Sequence, residues 1–336
     1  MNKFVLARVV LASLALSASI SCGGSSPNAG GGVGGTGISF GTITQFGSVF
    51  VNGVEFFTTG TDITVNDLPG TESDLAIGMV VTVRGSIDLN GTTGTADTIT
   101  YKSELEGPVN FINGAAGSLV VAGQNVTVDA GTVFDDIASG SLAGLNTGNI
   151  VEVSGFVDAS GTIRATRIKF ESDQFEQGTT EIEVKGSISN LDTGAMTFLL
   201  GDLTVDYSDA ELPQSGLSDG LAVEVHSTQG YDMNNVLIAS KIQVEDTSLG
   251  EKEGEKVEVE GFVTDFISES DFEVNGQRVQ TDSLTQYEGG IATDIALNVK
   301  LEVKGTIIAG NILLADKIGI ENESESEGES GSSSDN

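Results

Sequence analysis

Two residues stand out because catalytic sites of known kinds use them. Asp192 begins an Asp-Thr-Gly string that matches the aspartic-protease signature, but that chemistry needs two such carboxylates sharing one proton, and the chain has one copy. His226 is the only histidine, so a zinc site would need carboxylates for its other ligands. We expect Asp192 to hold a turn and His226 to be structural, and we predict no catalytic residue. A hydrolase remains the second alternative function.

Three acidic turns recur at one place in successive parts of the chain. They resemble the start of an EF-hand calcium loop, which also needs a bidentate acid at position twelve. Counted from Asp88, that position is Ile99, so the acid is missing and hairpin turns explain the pattern. Asp88, Asp158 and Asp232 remain candidate calcium ligands, and no other cofactor is predicted. The turns read Asp88-Leu89-Asn90-Gly91, Asp158-Ala159-Ser160-Gly161 and Asp232-Met233-Asn234-Asn235.

The overall charge limits the partners that this chain can have. It carries 49 acidic and 15 basic residues among 336, for a net charge of −34. Such a chain repels phosphate backbones, so we predict no nucleic-acid partner. The charge favours solubility, and divalent-cation binding is the alternative. Tryptophan is absent and only four tyrosines occur, which argues against a dedicated carbohydrate-binding module and leaves open an envelope protein or a polysaccharide as partner.

The N-terminus has the organisation of a bacterial export signal. Lys3 and Arg8 precede an apolar run over residues 9–20, which is typical of a secretory signal and short for a membrane span. Residues 19–23, Ser-Ile-Ser-Cys-Gly, resemble a lipobox, with Ser19 where leucine is usual. The resemblance implies that Cys22, the only cysteine, carries the lipid, and that Gly23 directs the protein to the outer membrane. The alternative is a leader cysteine that is removed on cleavage.

The segments outside the folded part differ from it in composition. We predict a lipoprotein signal peptide at 1–21, a flexible Gly-rich tether at 22–37 and a charged linker at 247–255. Residues 322–336 are acidic and Ser-rich without apolar residues, so we expect them to be disordered. The predicted location is the bacterial cell envelope, as an outer-membrane-anchored lipoprotein on its periplasmic or surface face.

The remaining chain is organised as four similar units. Val, Ile, Phe and Thr alternate with polar residues between frequent glycines, which predicts an all-β protein. Each unit runs strand, hairpin, Asp-Leu-x-x-Gly turn, Val-x-Val-x-Gly, hairpin and final strand, and about five such strands suit a small OB-like barrel or sandwich. His226 replaces the glycine of Val-x-Val-x-Gly in the third unit. We call the units modules 1 to 4, over residues 38–104, 105–173, 181–246 and 256–321.

The clearest local signal lies in module 4. Two strand-like runs flank Asn275-Gly276, a pair that favours a type I′ hairpin because both residues need positive φ. This turn places Phe272 opposite Val279 in the core. It also places Glu273 opposite Arg278, which predicts an outward cross-strand ion pair.

These motifs together resemble a bacterial family. The pattern F-x-V-N-G, D-L-x-x-G, V-E-V-x-G and A-x-x-I over residues 38–321 resembles the domain of unknown function DUF5666. The resemblance implies tandem OB-like modules in exported proteins and lipoproteins, and it transfers no catalytic residue. We therefore predict an exported, lipid-anchored envelope protein with a non-enzymatic binding or structural role. A calcium-dependent adhesion or matrix protein is the first alternative.

Overall fold

The computed structural model describes residues 35–321, except 246–248 and 250–251. The predicted leader, the anchor Cys22 and the acidic tail lie outside these residues. Strands dominate the described part, and its only helices are the single 3-10 turns Glu72–Asp74, Leu142–Gly144 and Ala292–Asp294. The all-β prediction is confirmed. None of the described helices has the length and apolar character needed to cross a membrane.

The described strands fall into four successive sets, one for each module. Module 1 contains β1 Gly35–Thr42, β2 Val49–Val51, β3 Val54–Phe57, β4 Asp62–Val65, β5 Leu68–Gly70, β6 Val80–Ile87 and β7 Thr93–Tyr101. Module 2 contains β8 Leu105–Asn113, β9 Ser118–Val121, β10 Gln124–Thr127, β11 Val133–Asp135, β12 Ile150–Val157 and β13 Ile163–Ser172. Module 3 contains β14 Ile182–Asp192, β15 Thr197–Leu200, β16 Leu203–Asp206, β17 Ala222–Ser227, β18 Leu237–Ile238 and β19 Lys241–Val244. Module 4 contains β20 Lys256–Ser268, β21 Asp271–Val274, β22 Gln277–Gln280, β23 Gln286–Glu288, β24 Lys300–Ile308 and β25 Ile312–Glu321.

Modules 2 to 4 each close their sheet into a five-stranded barrel, and in module 1 a single bridge between Ile43 and Val51 completes the circuit through β1, β6, β7, β3 and β2. In module 4, β20 pairs with β21, β21 with β22, β22 with β25 in parallel, β25 with β24, and β24 with β20 again. This order, first-second-third-fifth-fourth and back to the first, is that of an OB-like barrel. Module 2 has the same circuit through β8, β9, β10, β13 and β12. In module 3 the fifth strand is divided into β18 and β19.

The glycine of Val-x-Val-x-Gly lies at a β-bulge. Register shifts occur at Gly85, Gly155 and Gly305. A Cβ at any of the three would lie 2.1 or 2.3 Å from a carbonyl oxygen of the neighbouring strand, so only glycine fits the bulge. Module 3 has His226 at this position, and β17 pairs with β19 without a bulge, with His226 opposite Lys241.

The predicted hairpin of module 4 forms, but its ion pair is different. Asn275 has φ 49° and Gly276 has φ 78°, as a type I′ turn requires. The register places Phe272 opposite Val279, as predicted, and Glu273 opposite Arg278. Arg278 nevertheless binds Asp271, with Nη2 2.7 Å and Nε 2.9 Å from its two carboxylate oxygens. The predicted ion pair with Glu273 was therefore wrong, because the two oxygens of Asp271 engage the planar guanidinium at both nitrogens.

The first and last modules share one sheet. Strand β1 pairs in parallel with β20, placing Ile38 beside Val257 and Ser39 beside Glu258. The approach depends on Gly37, whose Cβ would lie 2.1 Å from the Lys256 carbonyl oxygen. Modules 2 and 3 are joined in the same way, by antiparallel pairing of β8 with β14. Side-chain hydrogen bonds from module 1 to module 2 and to module 3 join the two pairs, so the four modules form a closed assembly rather than an open string.

Aromatic side chains fill the place where modules 1, 2 and 4 meet. Phe156 of β12 and Phe262 of β20 form a buried cluster with Val80, and Phe40 packs against it. The rings of Phe40 and Phe156 meet edge to face with centroids 6.1 Å apart. The Lys300 ammonium lies 5.5 Å from the Phe156 ring centroid, a cation–π contact within a buried setting. We call this cluster the aromatic plug.

Candidate functional site

The three candidate calcium ligands hold their own turns. Asp158 Oδ1 accepts hydrogen bonds from the N–H groups of Ser160 at 2.9 Å and Thr162 at 3.1 Å, and Oδ2 accepts one from Arg164 Nε at 2.9 Å. Burial alone would raise the pKa of Asp158, but the hydrogen bonds from the Ser160 and Arg164 side chains bring it below the usual value. These contacts stabilise the ionised carboxylate within the hairpin.

The other two turns use their carboxylates in the same way. Asp88 Oδ2 accepts a hydrogen bond from Thr93 Oγ1 at 2.5 Å. Asp232 Oδ1 accepts from the N–H groups of Asn234 at 2.8 Å and Val236 at 2.9 Å. Across residues 35–321, outside the two gaps, no three His, Cys, Asp or Glu side chains are placed to hold a metal ion. Calcium binding at these turns stays an untested alternative.

Asp192 also lies in a hairpin turn. It ends β14, and its Oδ1 accepts the N–H groups of Gly194 at 2.8 Å and Ala195 at 2.9 Å. These backbone hydrogen bonds lower the pKa of Asp192. The carboxylate is therefore held ionised in an exposed loop, which is a structural use of the Asp-Thr-Gly string.

One serine motif escaped the sequence analysis. Residues 216–220, Gly-Leu-Ser-Asp-Gly, have the spacing of a nucleophile elbow, which must lie on a strand-to-helix turn. The structure places them in the loop between β16 and β17, where Asp219 Oδ1 accepts the N–H of Leu191 at 2.9 Å. The only histidine instead has its ring against Glu181, Glu224 and Gln243. The structure therefore shows no triad among these groups.

The described ionisable side chains converge at a different place, between modules 1 and 3. Pairing of β14 with β17 places Glu183 opposite His226 and Lys185 opposite Glu224. Lys102, just after β7 of module 1, extends its ammonium to the same group. We call these five residues the acidic junction. Alternation along each strand directs these side chains away from the barrel core, and the neighbouring module covers them.

Contacts within the acidic junction centre on one buried carboxylate. The Glu224 side chain is 3 % exposed, and the ammonium groups of Lys102 and Lys185 lie 3.4 and 3.7 Å from its oxygens. Glu183 is also buried, and its Oε1 accepts a hydrogen bond from Ser103 Oγ at 3.4 Å. Removing such charges from water is costly unless each has a partner, and here the partners come from two modules.

Burial and charge pairing shift the pKa values of these groups in opposite directions. Burial raises the pKa of Glu183 to about 9, helped by its hydrogen bond to Glu224, so Glu183 is protonated at neutral pH. Glu224 is buried too, but hydrogen bonds from His226 and Glu183 and the two lysines hold its pKa well below the usual value. Although burial opposes charge on His226, the Glu181 and Glu224 carboxylates raise its pKa to about 9. The junction therefore stores one proton on each of two groups.

The other seams are joined in a similar way. Between modules 1 and 2, Glu152 accepts hydrogen bonds from Arg167 Nη1 at 2.9 Å and from Asn66 Nδ2 at 3.0 Å. Between modules 1 and 4, Glu260 Oε2 accepts the N–H of Thr42 at 2.8 Å, and Glu260 Oε1 lies 2.7 Å from Lys300 Nζ. Glutamates whose side chains leave the barrel core thus bind neighbouring modules. Their chemistry is charge pairing and proton storage.

The acidic junction could not be predicted from the sequence, for a physical reason. Alternation showed that glutamates such as Glu224 point outward from a strand, and outward usually means towards water. Only the contacts between modules bury them, and these contacts join residues more than a hundred positions apart, as Lys102 and Glu224 do. The one usable signal was His226, which stands at a glycine position of the repeat.

Comparisons with known proteins agree with the resemblance seen in the sequence. Residues 106–169 and 260–319, within modules 2 and 4, match the family described as "Domain of unknown function (DUF5666)". No curated protein matches the sequence. The solved structure of drosophila Unr CSD456 is similar over 63 % of this chain and 97 % of its own length, at 12 % identity and a TM-score of 0.19. The OB-like fold is assigned from the strand pairing alone.

Proposed function

We propose that this chain, two of whose modules match DUF5666, is an exported, lipid-anchored cell-envelope protein with a non-enzymatic binding or structural role. The observation that carries the proposal is that buried ionisable side chains lie at module seams and pair there with one another, as Glu224 does with Lys102 and Lys185. These groups hold the modules together. Their arrangement suits a platform of repeated barrels that presents its outer surface to a partner.

The N-terminal sequence supports the location. A basic start, an apolar run and Ser21-Cys22-Gly23 are the features of an export signal that ends at a lipidated cysteine. Acyl chains on Cys22 would exceed the two membrane signals needed for stable anchoring. The Gly-rich composition of residues 23–34 favours a flexible tether that gives the barrels reach from the bilayer. Its predicted end at residue 37 was too late, because β1 begins at Gly35.

Anchoring is tested by comparing the full chain with its Cys22→Ser variant in a bacterial host fed a palmitate analogue. We expect the wild-type chain to carry the label and sediment with membranes, and the variant to lose both properties. Label that persists in the variant, or wild-type chain recovered in the soluble fraction, would contradict the anchoring role.

The binding role is tested with the purified full chain held on a support in detergent. We expect envelope extract to supply a component whose retention saturates and is competed by free protein. Retention that grows without limit, or none at all, would count against a binding role and leave a purely structural one.

A further inference from the structure

One end of the module 4 barrel has a surface depression. Comparison with module 2 of the same chain shows which residue leaves it open. We call this depression the module 4 mouth. It has a volume of about 390 Å³ and mixes aromatic, hydroxyl and acidic groups. It is lined by Phe266, Ser268, Glu269, Ser270, Thr281, Tyr287 and Ala292.

Module 2 shows what a closed end looks like. Strand pairing makes Phe134 and Tyr287 equivalent, since each lies beside the isoleucine of Ala-x-x-Ile in the last strand. Leu142 and Ala292 are equivalent because each begins the 3-10 turn of its module. Leu142 is buried and belongs to the core of module 2. Alanine at this place is too short to fill the same space, so the end of module 4 is open.

The lining of the mouth is suited to a side chain that is both apolar and cationic. Phe266 and Tyr287 are half-buried and pack at the edge of the core, and aromatic faces attract cations. Apolar residues within three positions of the lining are exposed: Ile267 by 66 %, Leu284 by 81 % and Ile291 by 63 %. Exposed apolar residues near a depression are typical of an interaction site.

Acidic residues lie close to this patch in the sequence. Besides Glu269, Asp265, Asp282 and Asp294 lie one or two positions from lining residues. Each of these three carboxylates accepts a neighbouring backbone N–H, at 2.9, 2.7 and 2.8 Å. Among the described lysines and arginines, none forms an ion pair with any of the four. A cationic partner would supply the missing charge.

The serine and threonine hydroxyl groups of the mouth are already engaged. Ser268 Oγ and Ser270 Oγ lie 3.2 Å apart and share a hydrogen bond, and Thr281 Oγ1 donates to the Glu269 carbonyl oxygen at 3.5 Å. A neutral glycan would rely on such groups, whereas a cation uses the carboxylates and rings. The charges therefore favour a peptide over a polysaccharide.

We propose that the module 4 mouth binds a cationic peptide segment of a partner protein, with an apolar side chain placed in the depression beside a lysine or arginine that faces the acidic rim. The proposal rests on the binding role proposed above and names its site and partner chemistry. Lipid anchoring plays no part in it, so the two proposals fail separately.

The test is fluorescence anisotropy of a short labelled peptide of alternating Lys and Leu against the full chain in detergent, at physiological ionic strength. The Ala292→Leu variant copies Leu142 of module 2 and retains every charge. We expect it to bind at least tenfold more weakly. The control is Ala309→Leu, the same exchange at an exposed hairpin tip of module 4, and it should bind as the wild-type chain does.

Three results would overturn the proposal. Equal affinity for all variants would show non-specific attraction to a chain of net charge −34. Equal binding of a Lys-Gly peptide would remove the apolar component. Displacement of the peptide by a neutral oligosaccharide would assign the mouth to a glycan. If Ala292→Leu lowers the melting temperature, Phe266→Ile replaces it, because Ile112 is the module 2 equivalent, and the same tenfold loss is expected.

Discussion

His226 stands where the other three modules have a bulge glycine, and the exchange alters both backbone and charge. A side chain at Gly85, Gly155 or Gly305 would collide with the next strand. Because β17 pairs without a bulge, the imidazole has room to contact Glu181 at 2.9 Å. The exchange was visible in the sequence, but its partners were not, since they depend on which strands pair.

The acidic junction predicts how stability depends on pH. Glu183 and His226 both have pKa values raised to about 9 in the folded chain. Each therefore stabilises the fold fully below its unfolded pKa, and that contribution is lost as pH rises towards 9. The depressed pKa of Glu224 acts in the opposite sense, and its contribution is lost only in strong acid. We expect the melting temperature to fall between about pH 6 and pH 9.

Glu183→Gln removes one of these titrations. The amide can donate to Glu224 as the protonated carboxyl does, so the free energy of unfolding should change little near pH 4, below the ordinary pKa of 4.5. At pH 9 the variant should be more stable than the wild-type chain by about 1–3 kcal/mol. Calorimetry from pH 4 to pH 9 measures both, with the exposed Glu269→Gln as control. If the free energy of unfolding depends on pH in the same way for the wild-type chain and Glu183→Gln, Glu183 does not hold the proton that it is proposed to share with Glu224.

The acidic turns predict the response to calcium. Since the carboxylates of Asp88, Asp158 and Asp232 already accept hydrogen bonds within their turns, millimolar Ca²⁺ should not raise the melting temperature beyond the effect of equal ionic strength. A ligand at a hundred times its Kd would add about 2.7 kcal/mol, which a melt detects readily. A shift with Ca²⁺ that KCl does not reproduce would instead support calcium-dependent adhesion.

At the scale of elements, local signals predicted the hairpins and missed the long-range pairings. Asn275-Gly276 specified its turn because positive φ at two successive residues is a local demand. Each of modules 1, 2 and 4 has a short strand that pairs in parallel with its last strand: β4, β11 and β23. No turn motif in the sequence predicts these pairings. The same is true of β1 and β20, which are more than two hundred residues apart in the chain.

The bulge provides a test at this scale. Gly305→Ala places a Cβ 2.1 Å from the Leu314 carbonyl oxygen, so we expect a loss of about 1–3 kcal/mol in stability from the forced shift of the strand. Gly114→Ala, at a loop glycine with nothing within 4 Å of its Cβ, is the control and should be neutral. Chemical denaturation gives both values. Equal stability of the two variants would contradict the claim that steric contact restricts the last position of Val-x-Val-x-Gly to glycine.

At the scale of the whole molecule, closure makes the modules depend on one another. The aromatic plug draws residues from modules 1, 2 and 4, and β1 of module 1 extends the sheet of module 4. OB-like barrels of about sixty residues are marginal alone. The sheets and seams that modules share bury surface that a single barrel would leave exposed. We therefore expect the four modules to unfold together, in fewer than four cooperative transitions.

Removing the plug tests this dependence. Phe156 is 1 % exposed, and Phe156→Ala should cost about 3–5 kcal/mol. Because three modules contact the cluster, hydrogen exchange should increase in strands of modules 1 and 4 as well as module 2. Phe57→Ala, at a ring that is 48 % exposed, is the control. Faster exchange confined to module 2 would mean that the modules are independent.

The most direct test of the closed assembly is a disulfide between its first and last modules. Ser39 and Glu258 are Cα partners in the parallel β1–β20 register, and neighbouring strands lie about 4.8 Å apart, which is within the Cα separation that a disulfide spans. In the full chain with Cys22→Ser, cysteines at both positions should oxidise to an intramolecular disulfide under native conditions and fail to do so in denaturant. Cysteines at Ser39 and Glu302, which lie out of register, are the control. No intramolecular disulfide in the native chain, or equal yield from the control pair, would contradict the closure of the four modules.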